Sequence, residues 1–472
     1  MEHHMKSSLA YAVEMEAQET HRLYSMIDLF AGCGGLSLGF ENEGFTPVFV
    51  NELNEDAIQT YLANRHHKLG GLAFSDNSSL RCNDAHELQG KRLSQLKSDL
   101  ETMPELGFTT ERIATHKSGA GSNLDVIAGG PPCQGFSGIG HRRSYGVDKR
   151  DLPSNHLYGR MAEIIRALRP RMFLFENVRG LLNSRWSKEG GEYIWPNVLS
   201  EFRSIEGYEV RWSLVHARDY GVPQNRPRVL MVGVRQDVLF ASKLLNDSAD
   251  PEDAILCGFL PKPTPNTYPH LDELLGDLVD PKIPDILRSG RFSPGDFETK
   301  LYPSRPTTRI QQELRSPPPH WPIGKKVPLT DHVYSKHKAD IVKKFDAMLL
   351  SGGAIPDEFK TKKFSQRLLP SRWGNQGPTI TATTLPDDYV HFGQPRILTV
   401  REWARLQLFP DWYLFKGKRT TGGLRRAGNP QEGLFEREAP KYTQIGNAVP
   451  VGLAEHVGRH LREVLDDALG RG

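Results

Sequence analysis

The chain has 472 residues, of which 38% are apolar and 25% charged, with a formal net charge of +3. This excludes a globally disordered chain, and the length implies two domains or one large domain carrying a smaller one. So small a net charge leaves any nucleic-acid surface to local basic patches.

Residues 1–23 read as a flexible polar tail, and the opening MEHHMKSS lacks an apolar signal core. YSMIDLF (Tyr24–Phe30) is a buried strand that runs into the glycine turn AGCGG. LSLGFENEGF has helical spacing and a glycine stop at Gly44, PVFVNEL is a second strand, and EDAIQTYLANR a second helix. This alternation predicts an α/β fold with a parallel sheet covered on both faces. A strand, a small-residue turn and a helix start bring backbone N–H groups close to a ligand. Glu52 ends the next strand, where an acid is placed to bind ribose hydroxyls. Asp84, in CNDAHEL, sits where a third strand would end and is a candidate for an adenine amino group.

LDVIAGG (Leu124–Gly130) is a strand running into GGPPCQGFSG. Cys133 therefore falls at the carboxyl edge of the sheet, stiffened by Pro131 and Pro132 and followed by the turn residue Gly135. Buried inert cysteines usually lie within apolar runs, and this one does not. The other cysteines are Cys33, Cys82 and Cys257; with no CxxC pair, neither a disulfide scaffold nor a structural zinc is expected, and a reducing cytoplasm fits. HLYGRMAEIIRALRP is an amphipathic helix. MFLFENV (Met172–Val178) is a strand tipped by Glu176, a candidate proton donor. Arg179, Arg226 and Arg228 are candidate partners for that carboxylate. QNRPR (Gln224–Arg228) places Arg226 and Arg228 on one face of an extended segment, where two guanidinium groups call for an oxyanion or carboxylate.

After about residue 236 prolines multiply and the alternation stops; residues 285–370 read as a smaller domain with little regular structure. RILTVREWARLQLFPDWY restores order, KGKRTTGGLRR is a basic loop, and YTQIGNAVPVGLAEHVGRHLREVLDDAL is a turn and a long amphipathic helix. No apolar run reaches the about 18 residues that a membrane span needs.

Taken together, DLFAGCGG, the Asn51–Glu52 pair, GGPPCQGFS, FENV, QNRPR, the REWARLQLFPDWY segment and QIGNAVP occur in an order that resembles the DNA cytosine-5 methyltransferases, in particular the prokaryotic restriction-modification type. They span Asp28 to Pro450, nearly the whole chain. The resemblance implies a Rossmann-like S-adenosylmethionine-dependent methyltransferase sheet with a smaller, irregular target-recognition domain. It divides the chain into a catalytic and cofactor domain at 24–284, target recognition at 285–370, the rest of the small domain with its basic loop at 371–440, and a returning C-terminal element at 441–472.

It further implies that Phe30, Gly32, Gly34, Glu52, Asp84, Pro131, Leu157, Asn447 and Val449 line the S-adenosylmethionine site. Cys133 matches the nucleophile that adds to carbon 6 of a cytosine flipped from double-stranded DNA, with Glu176, Arg226 and Arg228 holding the base. NDAHEL departs from the family pattern, and Ala448 stands where some members have serine. A cytoplasmic, nucleoid-associated monomer without metal is implied, with a cognate restriction endonuclease acting at the same DNA site. Two alternatives stand beside it: a tRNA cytosine-5 methyltransferase, against which Ser137 and the long insert argue, and a catalytically silent DNA-binding relative, against which the presence of Cys133, Glu176, Arg226 and Arg228 argues.

Overall fold

The computed structural model describes residues 24–69, 71–102, 124–132, 153–187, 191–246, 253–291, 293, 297–360, 366–372, 379, 386–420 and 438–471. The tail 1–23, Cys133 with the loop after it, and most of the basic loop after Lys418 lie outside the described residues.

A seven-stranded sheet forms the centre. Its strands are β1 (Tyr24–Leu29), β2 (Phe45–Asn51), β3 (Arg81–Cys82), β4 (Val126–Gly129), β5 (Met172–Val178), β6 (Tyr208–His216) and β7 (Pro227–Arg235). Their order is β3-β2-β1-β4-β5-β7-β6. β7 runs antiparallel to both of its neighbours, and every other pair in the sheet is parallel. The strands expected from apolar runs are all present. β1 is buried along its whole length, as a strand covered on both faces must be. β1 and β2 slip register where Met26 pairs Pro47 and Ile27 pairs Phe49; Pro47 has no N–H to give the ladder, and the slip accommodates it.

The helices α1 (Gly35–Asn42), α2 (Glu55–Ala63), α3 (Gly90–Thr102), α4 (Leu157–Leu168), α5 (Ile194–Arg203) and α6 (Gln236–Ala241) flank the sheet. α4 buries Met161, Ile164, Ile165 and Leu168 on its apolar stripe and ends at Arg169, in left-handed conformation, just before Pro170.

Beyond the sheet come α7 (Leu271–Leu275), α8 (Ile283–Ser289), α9 (Arg309–Arg315), α10 (Ala339–Leu350) and α11 (Val400–Arg405), joined by long irregular runs. Much of this part is organised by buried charge. Arg396 donates to both oxygens of Glu402 at 2.7 and 2.8 Å. Arg405 reaches Asp277 and Asp411, each at 2.6 Å. The chain then returns to the sheet as α12 (Lys441–Asn447) and α13 (Val451–Ala468). α13 packs along α1, which places the last helix against the first.

Candidate active site

The strand registers place the candidate residues before any side chain is considered. Cys82 pairs Asn51, Asn51 pairs Leu29, Leu29 pairs Gly129 and Gly129 pairs Phe175. One step further along each strand stand Glu52, Phe30, Gly130 and Glu176. A single row at the carboxyl edge of the sheet thus carries both the ribose candidate and the candidate catalytic carboxylate, at the edge where α/β folds bind ligands.

At the first turn Phe30 has φ 58° and Gly32 φ 57°. The left-handed conformation is open to Gly32 and strained for Phe30. Among the described residues no atom lies within 4 Å of where a Cβ on Gly32 would stand. The two oxygens of Glu52 accept from Gly32 N at 2.8 Å and Asn54 N at 2.7 Å. The Leu53 N–H also bears on this carboxylate; a carboxylate has about four acceptor sites, so capacity for a ligand hydroxyl remains. Burial pushes the Glu52 carboxyl above its ordinary value, and the N–H groups of Asn54 and Gly32 act in the opposite direction. Asn51 ties the strand ends together: its Oδ1 accepts from Phe30 N at 3.3 Å, and its Nδ2 donates to the carbonyls of Cys82 and Asn83, both at 2.9 Å. β3 has only two residues, yet it brings Asp84 to the same edge, where its carboxylate caps the turn at His86 N, 2.9 Å away.

The turn is braced from beneath. Gly34 O accepts from Arg65 Nη2 at 3.3 Å, Cys33 O accepts from Tyr413 Oη at 2.5 Å, and Arg65 is ion-paired with Glu41 at 2.7 Å. Gly35 lies so close to Val449 that a Cβ there would stand 2.4 Å from the Val449 carbonyl oxygen. Val449 is half-buried and Asn447 exposed at the end of α12. Leu157, half-buried, opens α4. The candidates for the cofactor site thus come from the turn, both ends of the chain and the start of α4.

The catalytic candidates meet at β5 and β7. Arg228 Nε lies 2.5 Å from Glu176 Oε1, with both side chains nearly buried. Arg226 turns to a backbone oxygen: its Nη2 donates to Gly446 O at 2.7 Å. The expectation of a carboxylate partner is thus met at Arg228, while the bond of Arg226 goes to the end of α12. Burial works against both guanidinium charges, Arg228 adds to the burden on Arg226, and Glu176 offsets part of it. Gly130 sits so close that a Cβ would stand 2.7 Å from Glu176 Oε2. Pro131 is buried, and its carbonyl accepts from Asn177 Nδ2 at 3.1 Å. The backbone leading to Cys133 is therefore held against the FENV strand end, although Cys133 itself lies outside the described residues.

Arg65, Tyr413 and the bracing role of Asn177 escape a reading of the sequence. Arg65 stands on a helix end where a solvated charge is ordinary, and Tyr413 is nearly 350 residues away from it. Among the described residues no group of His, Cys, Asp or Glu side chains is arranged to hold a metal, and no helix is long and apolar enough to cross a membrane.

A seven-stranded sheet whose next-to-last strand in space alone runs backwards, with a glycine turn and an acidic strand end at its carboxyl edge, is the fold of S-adenosylmethionine-dependent methyltransferases. The family model of the C-5 cytosine-specific DNA methylases matches residues 24–99 and 109–463, and the chain belongs to that family. It is similar to the Type II methyltransferase M.DdeI of Desulfomicrobium norvegicum, with 28% identity over 93% of this chain and 88% of that one. It is likewise similar to the Type II methyltransferase M.PspPI of a Psychrobacter species, with 29% identity over 96% of this chain and 83% of that one. Among solved structures, one described as a DNA modification methyltransferase encoded within an E. coli prophage superposes with a TM-score of 0.57 at 21% identity, covering 94% of this chain and 99% of that one. That likeness concerns the fold.

Proposed function

We propose that this enzyme transfers a methyl group from S-adenosylmethionine to carbon 5 of one cytosine within a specific double-stranded DNA sequence. The observation that carries this reading is the meeting of Gly130, Glu176 and Arg228 at the strand ends that lead into PPCQG. The residues present fit the cofactor. Glu52 keeps acceptor capacity for a ribose, Gly32 has no atom of the described residues within 4 Å of where a Cβ would stand, and Phe30, Gly34, Asp84, Pro131, Leu157, Asn447 and Val449 complete the lining. When bound, the cofactor supplies an electrophilic methyl group on a sulfonium.

Carbon 5 of cytosine is a weak nucleophile, and the chain's own residues correct that. The Cys133 thiolate forms a bond to carbon 6, which moves electron density onto carbon 5. Glu176 donates its proton to ring nitrogen 3, so that addition leaves no net negative charge on the base. Arg228 steadies the Glu176 carboxyl. Arg226, held by Gly446 O, acts on the base carbonyl through its guanidinium. After methylation the carbon 5 proton is lost to a base, the carbon–sulfur bond breaks to return the Cys133 thiolate, and the proton on ring nitrogen 3 goes back to Glu176. A stacked duplex gives no access to carbon 6, so the target base is flipped out. Residues 285–370 supply groove contacts and the basic loop contacts phosphates. The Type II names of the relatives support a place in a restriction-modification system, with a cognate endonuclease and a monomer in the cytoplasm as the working picture.

The test is incubation with S-adenosylmethionine and a duplex carrying 5-fluorocytosine, whose carbon 5 cannot release a proton. A stable protein–DNA adduct that vanishes in Cys133→Ala is expected. An adduct that survives Cys133→Ala, or one formed on tRNA and not on duplex DNA, would overturn the proposal.

A further inference from the structure

Gln407, two residues past α11, is fully buried, where an amide is tolerated only with its donors and acceptor used. Its Nε2 donates to Ile445 O at 2.7 Å, and its Oε1 accepts from Gln224 Nε2 at 2.6 Å. Because a carbonyl oxygen only accepts, the bond to Ile445 fixes which way the amide faces. Its backbone carbonyl accepts from Val451 N, the first residue of α13, at 2.9 Å. The next residue, Leu408, has φ 62°, a conformation costing a non-glycine residue on the order of 1–3 kcal/mol. Its side chain presses on α13, so that a Cβ on Gly452 would stand 2.6 Å from Leu408 Cδ1. A strained turn with a fully buried Gln407 therefore joins three separate segments: the start of QNRPR, the end of α12 and the start of α13.

The carbonyls on either side of Ile445 are also taken. Gln444 O accepts from Cys33 Sγ at 3.5 Å, and Gly446 O accepts from Arg226 Nη2 at 2.7 Å. Three successive carbonyls at the end of α12 are thus held by the cofactor turn, by Gln407 and by Arg226. The chain then passes straight into Asn447 and Val449 beside the cofactor turn.

We propose that Gln407 is a positioning residue for Arg226. Its amide sets the end of α12, whose Gly446 carbonyl aims the guanidinium, and it anchors Gln224 two residues upstream of that same arginine. Gln407 touches neither base nor cofactor; it fixes the frame from which Arg226 acts, and the inference rests on the role given to Arg226 above.

The experiment compares the wild type with Gln407→Leu, Gln407→Glu, Arg226→Ala and the double variant Gln407→Leu/Arg226→Ala. Single-turnover methyl transfer to a duplex is measured at saturating S-adenosylmethionine and DNA, beside the melting temperature. Loss of its two buried side-chain hydrogen bonds predicts about a tenfold slower transfer in Gln407→Leu. If the effect passes through Arg226, the double variant is no more than about twofold slower than Arg226→Ala alone. Gln407→Glu keeps the acceptor for Gln224 and sets an oxygen against Ile445 O. Its rate relative to wild type should rise as pH falls from 8 to 6, because a protonated carboxyl again donates there. A purely structural role gives no such recovery, and this variant also serves if Gln407→Leu folds poorly. Losses that multiply in the double variant, or a flat pH ratio in Gln407→Glu, would overturn the positioning role. A wild-type rate in Arg226→Ala would instead remove the role of Arg226 itself.

Discussion

At the scale of single residues, the glycine turn proposed to hold the cofactor rests on a buried acid. Asp28, on β1 two residues before Phe30, is 1% exposed. Ser37 Oγ donates to its Oδ2, while Oδ1 has no hydrogen-bond partner. Burial pushes its carboxyl from 3.8 up to about 7, against the pull of Ser37 and Arg65; Glu41 and Glu52 push the same way as burial. Tyr61 Oη completes the surroundings, 2.8 Å from Ser37 Oγ. The sign follows from linkage. Between pH 4 and 7 the native state keeps a proton that the unfolded chain releases, so stability falls as pH rises through that window. Asp28→Asn removes this titration while keeping an acceptor for Ser37. The melting temperature of the wild type minus that of Asp28→Asn should therefore decline from pH 5 to pH 8, the wild type losing on the order of a few kcal/mol. A difference that stays level across this range contradicts a neutral Asp28 in the fold.

At the scale of elements, the approach of α1 to α13 depends on missing side chains. Gly35 and Gly39 are one helical turn apart and face the returning chain. A Cβ on Gly39 would stand 2.4 Å from Ala454 Cβ and 2.6 Å from Glu455 N. Backbone atoms cannot give way as a flexible side chain does. Gly39→Ala should therefore lower stability by about 1–3 kcal/mol, despite alanine's higher helix propensity. A denaturant titration with unchanged slope and a lower midpoint would show it, and a stabilised variant would refute it. The longer sheet strands and helices α1, α2, α4 and α13 were legible in sequence, because apolar runs and 3.6-residue spacing are local signals, whereas α3, α5 and α7 to α10 were not read from it. The pairing of α1 with α13 was not, since two glycines on one helix carry no mark of which surface they meet. β3 was nearly invisible for a related reason: two residues, Arg81 and Cys82, are too few to show a period. The acid at Glu52 could be read from its place at a strand end. Arg65 and Tyr413 could not, because their meeting under the turn joins segments 348 residues apart.

At the scale of the whole molecule, the irregular second part is held by charges that the surface elsewhere would keep in water. Arg405 is fully buried between Asp277 and Asp411 and donates to both carboxylates and to Leu274 O. Asp277 is also paired with Arg315, and Asp411 accepts from Tyr302 Oη at 2.9 Å. Arg405 thus fastens α11 to the end of α7, about 130 residues away, and Asp277 carries the link on to Arg315 of α9. Arg405→Met keeps much of the volume and leaves two buried carboxylates short of a partner, a change that costs about 3–5 kcal/mol. The loss should fall first on the segments that α7, α9 and α11 join: under the proposed roles, DNA binding should fail at a lower temperature than cofactor binding, whose proposed residues sit mainly on the sheet edge. The pH dependence has the opposite sign to that of Asp28. Arg405 holds Asp411 below its ordinary carboxylate value of 3.8, so the stability it contributes is present above that pH and is lost as pH falls through the lower native value. The deficit of Arg405→Met should be largest at neutral pH and shrink in acid. Parallel thermal melts of wild type and variant from pH 7 to pH 3 measure this, and a deficit that grows in acid would exclude the ion pair as its source.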